Sequence, residues 1–388
     1  MNGTATILYV SEIGPAPTHA SAVVIRRHLL ALERAGFAIC VVALQGTVVD
    51  PPPSWRILEL PARKPYYPPY RRFGPLRLAR WWLFDREVMP VLRGLRVHCV
   101  LGLLHGDYLS RYAAWLARRL DRPLCYFYHD RGEHLAHHDD PAAAARLTRE
   151  NHRLLGSSRV RHVWAVSREL AVTAAPLRVK FSVVYPLPER LNDLPSPAWR
   201  TSFATAPVLA HSGTIYNEIV PYLRAIAAAL GELGGTLLLT SPRADVARDL
   251  EKEFPLVVTY AGDIPDPRRM AALLHERASA FLVVYPPDSS HMPWSADSFP
   301  SKLVQLVHTR LPGIVLAPSS TSVSRWCVRA NWTLHSPTMD RDSLAGHLAR
   351  LRRPDEWRAA AAESERAAKE EFSPDGIETK VNRDILSL

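Results

Sequence analysis

The sequence predicts an α/β protein built from two tandem Rossmann-like, doubly wound domains. Short apolar runs alternate with longer segments of helical period along most of the chain, which implies parallel strands joined by crossover helices. A proline-rich stretch without period divides two such series. A length of 388 residues with 47% hydrophobic content supplies enough apolar material for two cores.

The first series opens with a strand at 7–10, a helix at 21–35 and a strand at 37–43. Ala22, Ile25, Leu29 and Leu32 recur at helical spacing, and Gly36 stands where a helix end favours a left-handed residue. Strands follow at 99–103, 124–128, 162–166 and 181–184, and helices at 75–92, 108–120, 141–155 and, briefly, from Ser167. Residues 186–207 read as linker. In the second series strands fall at 208–210, 236–240, 257–260, 280–284 and 313–317. Its helices fall at 219–233, 244–254, 267–277 and 300–309. A charged helical tail runs over 341–371 with Trp357 as an apolar anchor. The expected boundaries are an N-terminal domain at 1–190, a linker at 191–205, a C-terminal domain at 206–371 and a last helix at 372–388 that packs back on the N-terminal domain.

The four cysteines, Cys40, Cys99, Cys125 and Cys327, are far apart and have no paired spacing, so neither a zinc ribbon nor a disulfide framework is expected. The start of the chain lacks a basic region followed by an apolar segment, and no apolar run is long enough to span a bilayer. A cytoplasmic protein is expected, any membrane contact being peripheral, at the inner face. The formal charge of +10 favours anionic partners, and the excess is conspicuous over residues 61–95, where Arg and Lys interleave with Tyr, Phe and Trp. That stretch suits an anionic membrane surface and, equally, a solvated loop before an amphipathic helix. In the first reading Tyr66, Tyr67, Arg71 and Trp81 meet the lipid. No nucleic-acid partner is expected, because no groove-reading motif accompanies the charge.

The first turn, Gly14 to His19, lacks the dinucleotide fingerprint, and no phosphate loop ending in Gly-Lys-Ser/Thr occurs. No Gly-x-Ser-x-Gly elbow occurs either, which disfavours a serine hydrolase. The acidic and histidine-rich loop from His129 through Glu133, His134, His137, His138 and Asp139 to Asp140 has no metal-motif spacing. No metal and no cofactor are expected. The informative segment begins at Asp297. Leu303, Leu306 and Val307 form the buried stripe of a helix opened by Pro300, while Lys302 and Gln305 share another face. A helix start with an ammonium suits a diphosphate, and Gln305 is placed to bond neutral hydroxyls.

The run SFPSKLVQLVHTRLPGIV resembles the donor-site signature of family 4 glycosyltransferases (glycosyltransferase group 1). That family carries two glutamates eight positions apart, and Asp297 and Gln305 stand at the matching positions. His211-Ser212-Gly213-Thr214 is similar to the family's first strand and glycine turn of the donor domain, without the basic residues that follow it there, so that Lys302 is the cation left for the diphosphate. Tyr260-Ala261-Gly262 resembles the turn that meets the nucleobase, Trp164-Ala165-Val166-Ser167 the strand and capping serine of the first domain, and Leu124 to Asp130 a strand ending in His-Asp. The resemblance implies a GT-B fold, with the two domains facing across a cleft. It implies a hexosyl transfer from a nucleotide diphospho-sugar, with retention and without metal, to a glycan or lipid-linked acceptor in polysaccharide biosynthesis. It assigns catalytic roles to His129, Asp130 and Asp297, and donor contacts to Gly213, Thr214, Gly262, Phe299, Pro300, Ser301, Lys302 and Gln305. An inverting enzyme would instead need a carboxylate base, for which Asp130, Asp107 and Glu12 are candidates. The altered acid pair keeps a non-catalytic nucleotide-sugar-binding protein open as an alternative, and a nucleotide-sugar epimerase is a second.

Overall fold

The structure is a computed structural model, and it describes residues 4–17, 20–61, 77–104, 108–131, 141–174, 179–191 and 193–388. The chain divides into two compact units. Unit one comprises Met1–Leu187, Asp297–Phe299 and Asp375–Leu388, and unit two comprises Pro188–Ala296 and Pro300–Pro374.

Unit one is a seven-stranded sheet of β1 (Thr6–Ser11), β2 (Ala38–Leu44), β3 (Arg56–Leu60), β4 (Val97–Leu103), β5 (Leu124–Tyr128), β6 (Val160–Ala165) and β7 (Phe181–Val183). All pairs are parallel, in the order β3-β2-β1-β4-β5-β6-β7. Parallel strands covered on both faces read as continuous apolar runs, and β1 and β5 are buried at every residue. The edge strand β3 was not expected from the sequence. Its Arg56 and Glu59 are exposed, which dilutes the apolar run that marks the inner strands.

The Pro374–Leu386 helix completes unit one. Its buried Asp384 accepts hydrogen bonds from Trp164 Nε1 (3.1 Å) and Ser182 Oγ (3.0 Å) and lies 3.2 Å from His162 Nε2. Lys380 Nζ donates to the Val183 carbonyl at 2.7 Å, and His98 Nε2 meets the Ile385 carbonyl at 2.9 Å. Burial alone would raise the Asp384 carboxyl. The Trp164, His162 and Ser182 partners outweigh it and hold it below the ordinary value.

Unit two is a six-stranded sheet of β8 (Val208–Ser212), β9 (Thr236–Thr240), β10 (Val258–Tyr260), β11 (Ala280–Val284), β12 (Gly313–Leu316) and β13 (His335–Ser336). Its order, β10-β9-β8-β11-β12-β13, is again all parallel. The order reverses between β8 and β11, as it does between β1 and β4 in unit one. Ligands of doubly wound sheets bind beyond the strand C-termini at such points.

Two elements of unit two were absent from the sequence reading, the first being the edge strand β13. The Ser322–Ala330 helix, capped by Thr321 accepting from the Ser324 amide at 3.2 Å, was not expected. The tail is helical as expected and is made of two helices, Arg341–Leu351 and Pro354–Glu370, followed by the helix from Pro374. Each proline lacks the N–H that continuing the preceding helix would require, and it starts a new one instead. Trp357 Nε1 donates to the Ser279 carbonyl at 2.7 Å and Ser364 Oγ to the Leu311 carbonyl at 2.6 Å, which fixes the Pro354–Glu370 helix on its sheet.

Candidate functional site

In unit two the strand ends around β8 carry two turns that need glycine. Gly213 follows β8 at φ +99°, with its amide bonded to the Thr240 carbonyl at 2.9 Å, and Gly262 follows β10 at φ +91°, with its carbonyl taken by the Ser241 amide at 3.2 Å. Nothing lies within 4 Å of where a Cβ would stand at either position. The backbone is therefore open to an approaching ligand, and only conformational strain opposes a side chain. Thr214 is exposed, and two residues on, Tyr216 packs edge-on against Trp294 with ring centroids 5.9 Å apart.

The helix that carries Lys302 is short, Ser301–Leu306, with Pro300 as its extended N-cap rather than its first residue. Leu303, Val304 and Leu306 are buried beneath it. Lys302 is half-buried, and no hydrogen bond or ion pair to its ammonium occurs among the described residues. Desolvation is the cause of its lowered basicity, from 10.5 to about 8. A partly desolvated ammonium with no carboxylate partner among the described residues is chemically suited to pair with an anion.

Gln305 is engaged elsewhere. Its Oε1 accepts from the Glu189 amide at 2.7 Å and its Nε2 donates to the Glu189 carbonyl at 3.4 Å. Both halves of the carboxamide are used by one backbone residue of the Pro188 segment, a pairing that glutamate cannot make.

The three residues before Pro300 belong to unit one. Asp297 Oδ2 pairs with Arg131 at 3.2 Å, and the Asp297 carbonyl accepts from Ser167 Oγ. Ser298 Oγ donates to Asp130 Oδ1, and Phe299 packs on Tyr185 with ring centroids 4.8 Å apart. Ser167 meanwhile caps its own helix by accepting from the Leu170 amide at 2.9 Å. The two carboxylates singled out in the sequence are thus brought together by one segment, each with a partner.

His129, at the end of β5, is buried, with its ring 6.0 Å from that of Phe127. His28 stacks on the same Phe127 at 4.6 Å, and burial, with the neighbouring His129 and Arg27, lowers it to about 3. Glu12 caps a helix instead of standing free as a base, its Oε1 accepting from the Tyr108 and Leu109 amides at 3.0 and 2.5 Å. Asp107, and Glu133, His134, His137, His138, Asp139 and Asp140 of the acidic loop, lie outside the described residues.

Of the basic aromatic stretch, Tyr66, Tyr67 and Arg71 also lie outside them. Trp81 is only 6% exposed and packs against Tyr108, Tyr112 and Trp115, so it is a core residue and not a lipid-facing one. Trp82 and Leu83, 59% and 52% exposed, are the outward pair, with the Arg86 guanidinium 4.4 Å over the Trp82 ring. Among the described residues no helix is long and apolar enough to cross a membrane.

Three site residues escaped the sequence reading of roles. Arg131 and Glu189 act through the fold, as partners of Asp297 and of Gln305, and no local pattern marks them. His211 carried a signal, a lone imidazole in the apolar run of a buried strand.

No protein-family model and no curated protein matches the sequence. Solved structures do match the fold. Sucrose-phosphate synthase from Thermosynechococcus elongatus is 16% identical, over 97% of this chain and 98% of that one, with a TM-score of 0.70. HepE from Anabaena, in complex with UDP and glucose, is 12% identical over 99% of this chain and 100% of that one, at 0.66. A glycosyltransferase from Rickettsia africae is 11% identical over 100% and 99%, at 0.66. The chain has the GT-B glycosyltransferase fold, with two Rossmann-like units.

Proposed function

We propose that this chain is a glycosyltransferase that moves a sugar from a nucleoside diphospho-sugar to an acceptor hydroxyl. The observation that carries the reading is Lys302, a half-buried ammonium without a counter-charge among the described residues, within electrostatic reach of His211, which stands on β8 two residues before the Gly213 turn. The Thr214 amide and Lys302 hold the diphosphate at the Gly213 turn, whose open backbone lets it approach, and the backbone around Gly262 meets the base. UDP is the first candidate nucleotide, since UDP complexes stand among the structures of similar fold. The acceptor belongs to unit one, near His129 and Asp130.

In the reaction the bond from the sugar's anomeric carbon to the diphosphate oxygen breaks, and the acceptor oxygen bonds that carbon. With retention the acceptor proton passes to the departing diphosphate on the same face, while Lys302 stabilises the growing negative charge. No protein base and no metal are then required. A glycan acceptor, lipid-linked and presented at an anionic membrane, suits the exposed Trp82, Leu83 and Arg86.

A second reading, nucleotide-sugar binding without turnover, draws support from the Arg131 partner of Asp297 and the occupied carboxamide of Gln305. Thermal unfolding with UDP, GDP and ADP and their hexose conjugates, with and without chelator, tests the first reading. A ligand that binds only the folded state raises the melting temperature. Donor hydrolysis then separates turnover from binding, and the product's anomeric configuration reports retention. Absence of any nucleotide-dependent shift would exclude both readings.

A further inference from the structure

His211 occupies a position built for an aliphatic side chain. It lies in the middle of the unit-two sheet, in register with Leu239 of β9, and is 0% exposed. Yet among the described residues neither ring nitrogen has a well-formed hydrogen bond. The Leu282 carbonyl of β11 acts on the ring without forming an aligned bond. Buried polar atoms are almost always paired, because leaving them unpaired costs folding free energy, so an orphaned imidazole calls for a role. Its place supplies one. β8 and β11 flank the point where strand order reverses, and His211 stands two residues before the Gly213 turn.

Lys302 is its electrostatic neighbour. Burial first, and that ammonium second, hold the ring well below its ordinary basicity, so it is neutral. A neutral imidazole has one acceptor nitrogen and one donor nitrogen, and an ammonium has three donors. The two groups are complementary, and two cations would not be.

We propose that His211 is a positioning residue of the donor site, whose acceptor nitrogen takes a hydrogen bond from Lys302 when a nucleoside diphosphate is bound and aims the remaining ammonium hydrogens at the diphosphate. Its N–H turns toward the Leu282 carbonyl in the same arrangement. The inference rests on the donor-site reading above. It adds that the specificity for a diphosphate depends on a buried uncharged group behind the cation.

The test uses the full chain with His211→Leu, His211→Gln, Lys302→Met and the His211→Leu/Lys302→Met double variant. Melting temperature without ligand and Kd for UDP, GDP and ADP are measured for each. His211→Leu matches the surrounding apolar wall, so its ligand-free melting temperature equals or exceeds that of the wild type. Its nucleoside diphosphate Kd rises about tenfold, the scale of one lost hydrogen bond to a charged group. His211→Gln, which keeps an acceptor, recovers most of that affinity. In the Lys302→Met background His211→Leu adds nothing further, because groups acting through one contact are non-additive. Wild-type affinity in His211→Leu, or an effect that adds in full to that of Lys302→Met, overturns the proposal. Should the Leu variant fail to fold, His211→Val, which also removes the acceptor nitrogen, replaces it alone and with Lys302→Met, and the same outcomes support or overturn the proposal. A wild type that binds none of the three nucleotides refutes the donor-site reading itself, and the role of His211 with it, a result distinct from normal binding by the variants.

Discussion

Lys302→Met should make the ligand-free protein more stable while weakening nucleotide binding, and the size of each effect follows from the site. The fall of the ammonium from 10.5 to about 8 is caused by desolvation alone. At about 1.4 kcal/mol per tenfold in proton affinity, that is roughly 3 kcal/mol, which screening of a half-buried group reduces to about 1–2 kcal/mol. Methionine has similar length and no charge, so the variant gains about that much at pH 7. The sign with pH is fixed by linkage. Below about 8 Lys302 is protonated in both folded and unfolded chains and the penalty is complete. Between about 8 and 10.5 the folded chain sheds the proton while the unfolded chain keeps it, so wild-type stability rises with pH relative to the variant. The gap should therefore close toward pH 10.5. Binding moves the other way, since charge-assisted hydrogen bonds to a phosphate contribute about 1.5–3 kcal/mol, or roughly a 10- to 100-fold change in Kd. Scanning unfolding at pH 7 and 10, with UDP titration calorimetry at pH 7, reads both. A variant that melts below the wild type at pH 7, or binds UDP equally well, refutes the view of Lys302 as an uncompensated anion-site cation.

Gln305→Glu keeps an acceptor for the Glu189 amide but faces the Glu189 carbonyl with a carboxylate oxygen, so it should lower stability by about 1–2 kcal/mol in denaturant titration. Unchanged stability with tighter donor binding would instead restore Gln305 to the ribose. Asp384→Ala strands Trp164 Nε1, Ser182 Oγ and His162 in the unit-one core and should cost about 2–4 kcal/mol in the same assay. Because the Asp384 carboxyl is held low, its stabilisation is present above the unfolded carboxyl's pKa and is lost as pH falls through the folded one. A wild-type acid-unfolding midpoint shared by Asp384→Asn would contradict this. Trp82→Ala/Leu83→Ala should leave melting within about 0.5 kcal/mol of the wild type yet weaken sedimentation with phosphatidylserine vesicles, whereas Trp81→Ala should destabilise by about 3–5 kcal/mol. Equal vesicle binding by wild type and double variant would return that helix face to ordinary solvated surface.

How much of this was legible in the sequence depended on where its determinants lie. The inner strands could be read because a parallel strand buried on both faces leaves an unbroken apolar run, as in Leu124 to Tyr128. The edges β3 and β13 could not, since Arg56 and Glu59 interrupt the one and the other has only two residues. Lys302 stands out for a related reason, as a cation in the first turn of a short helix whose buried residues, Leu303, Val304 and Leu306, are apolar. The segment before it reads differently once its partners are seen. Asp297, Ser298, Phe299 and Gln305 looked like one donor-facing constellation because they are neighbours in sequence, yet three of them belong to unit one and Gln305 to unit two. Sequence spacing reports neighbours along a helix or strand, but a loop's hydrogen-bond partners are set by tertiary placement, so Arg131 and Glu189 were invisible beforehand, and Ser167 was legible as a cap but not as the partner of Asp297. His211 lies between these cases. An imidazole within a strand of aliphatic residues violates the binary pattern of its own element, and such violations concentrate where stability has been traded for function. The residue that least fits the fold is, on that logic, the next one to mutate once a nucleotide is shown to bind.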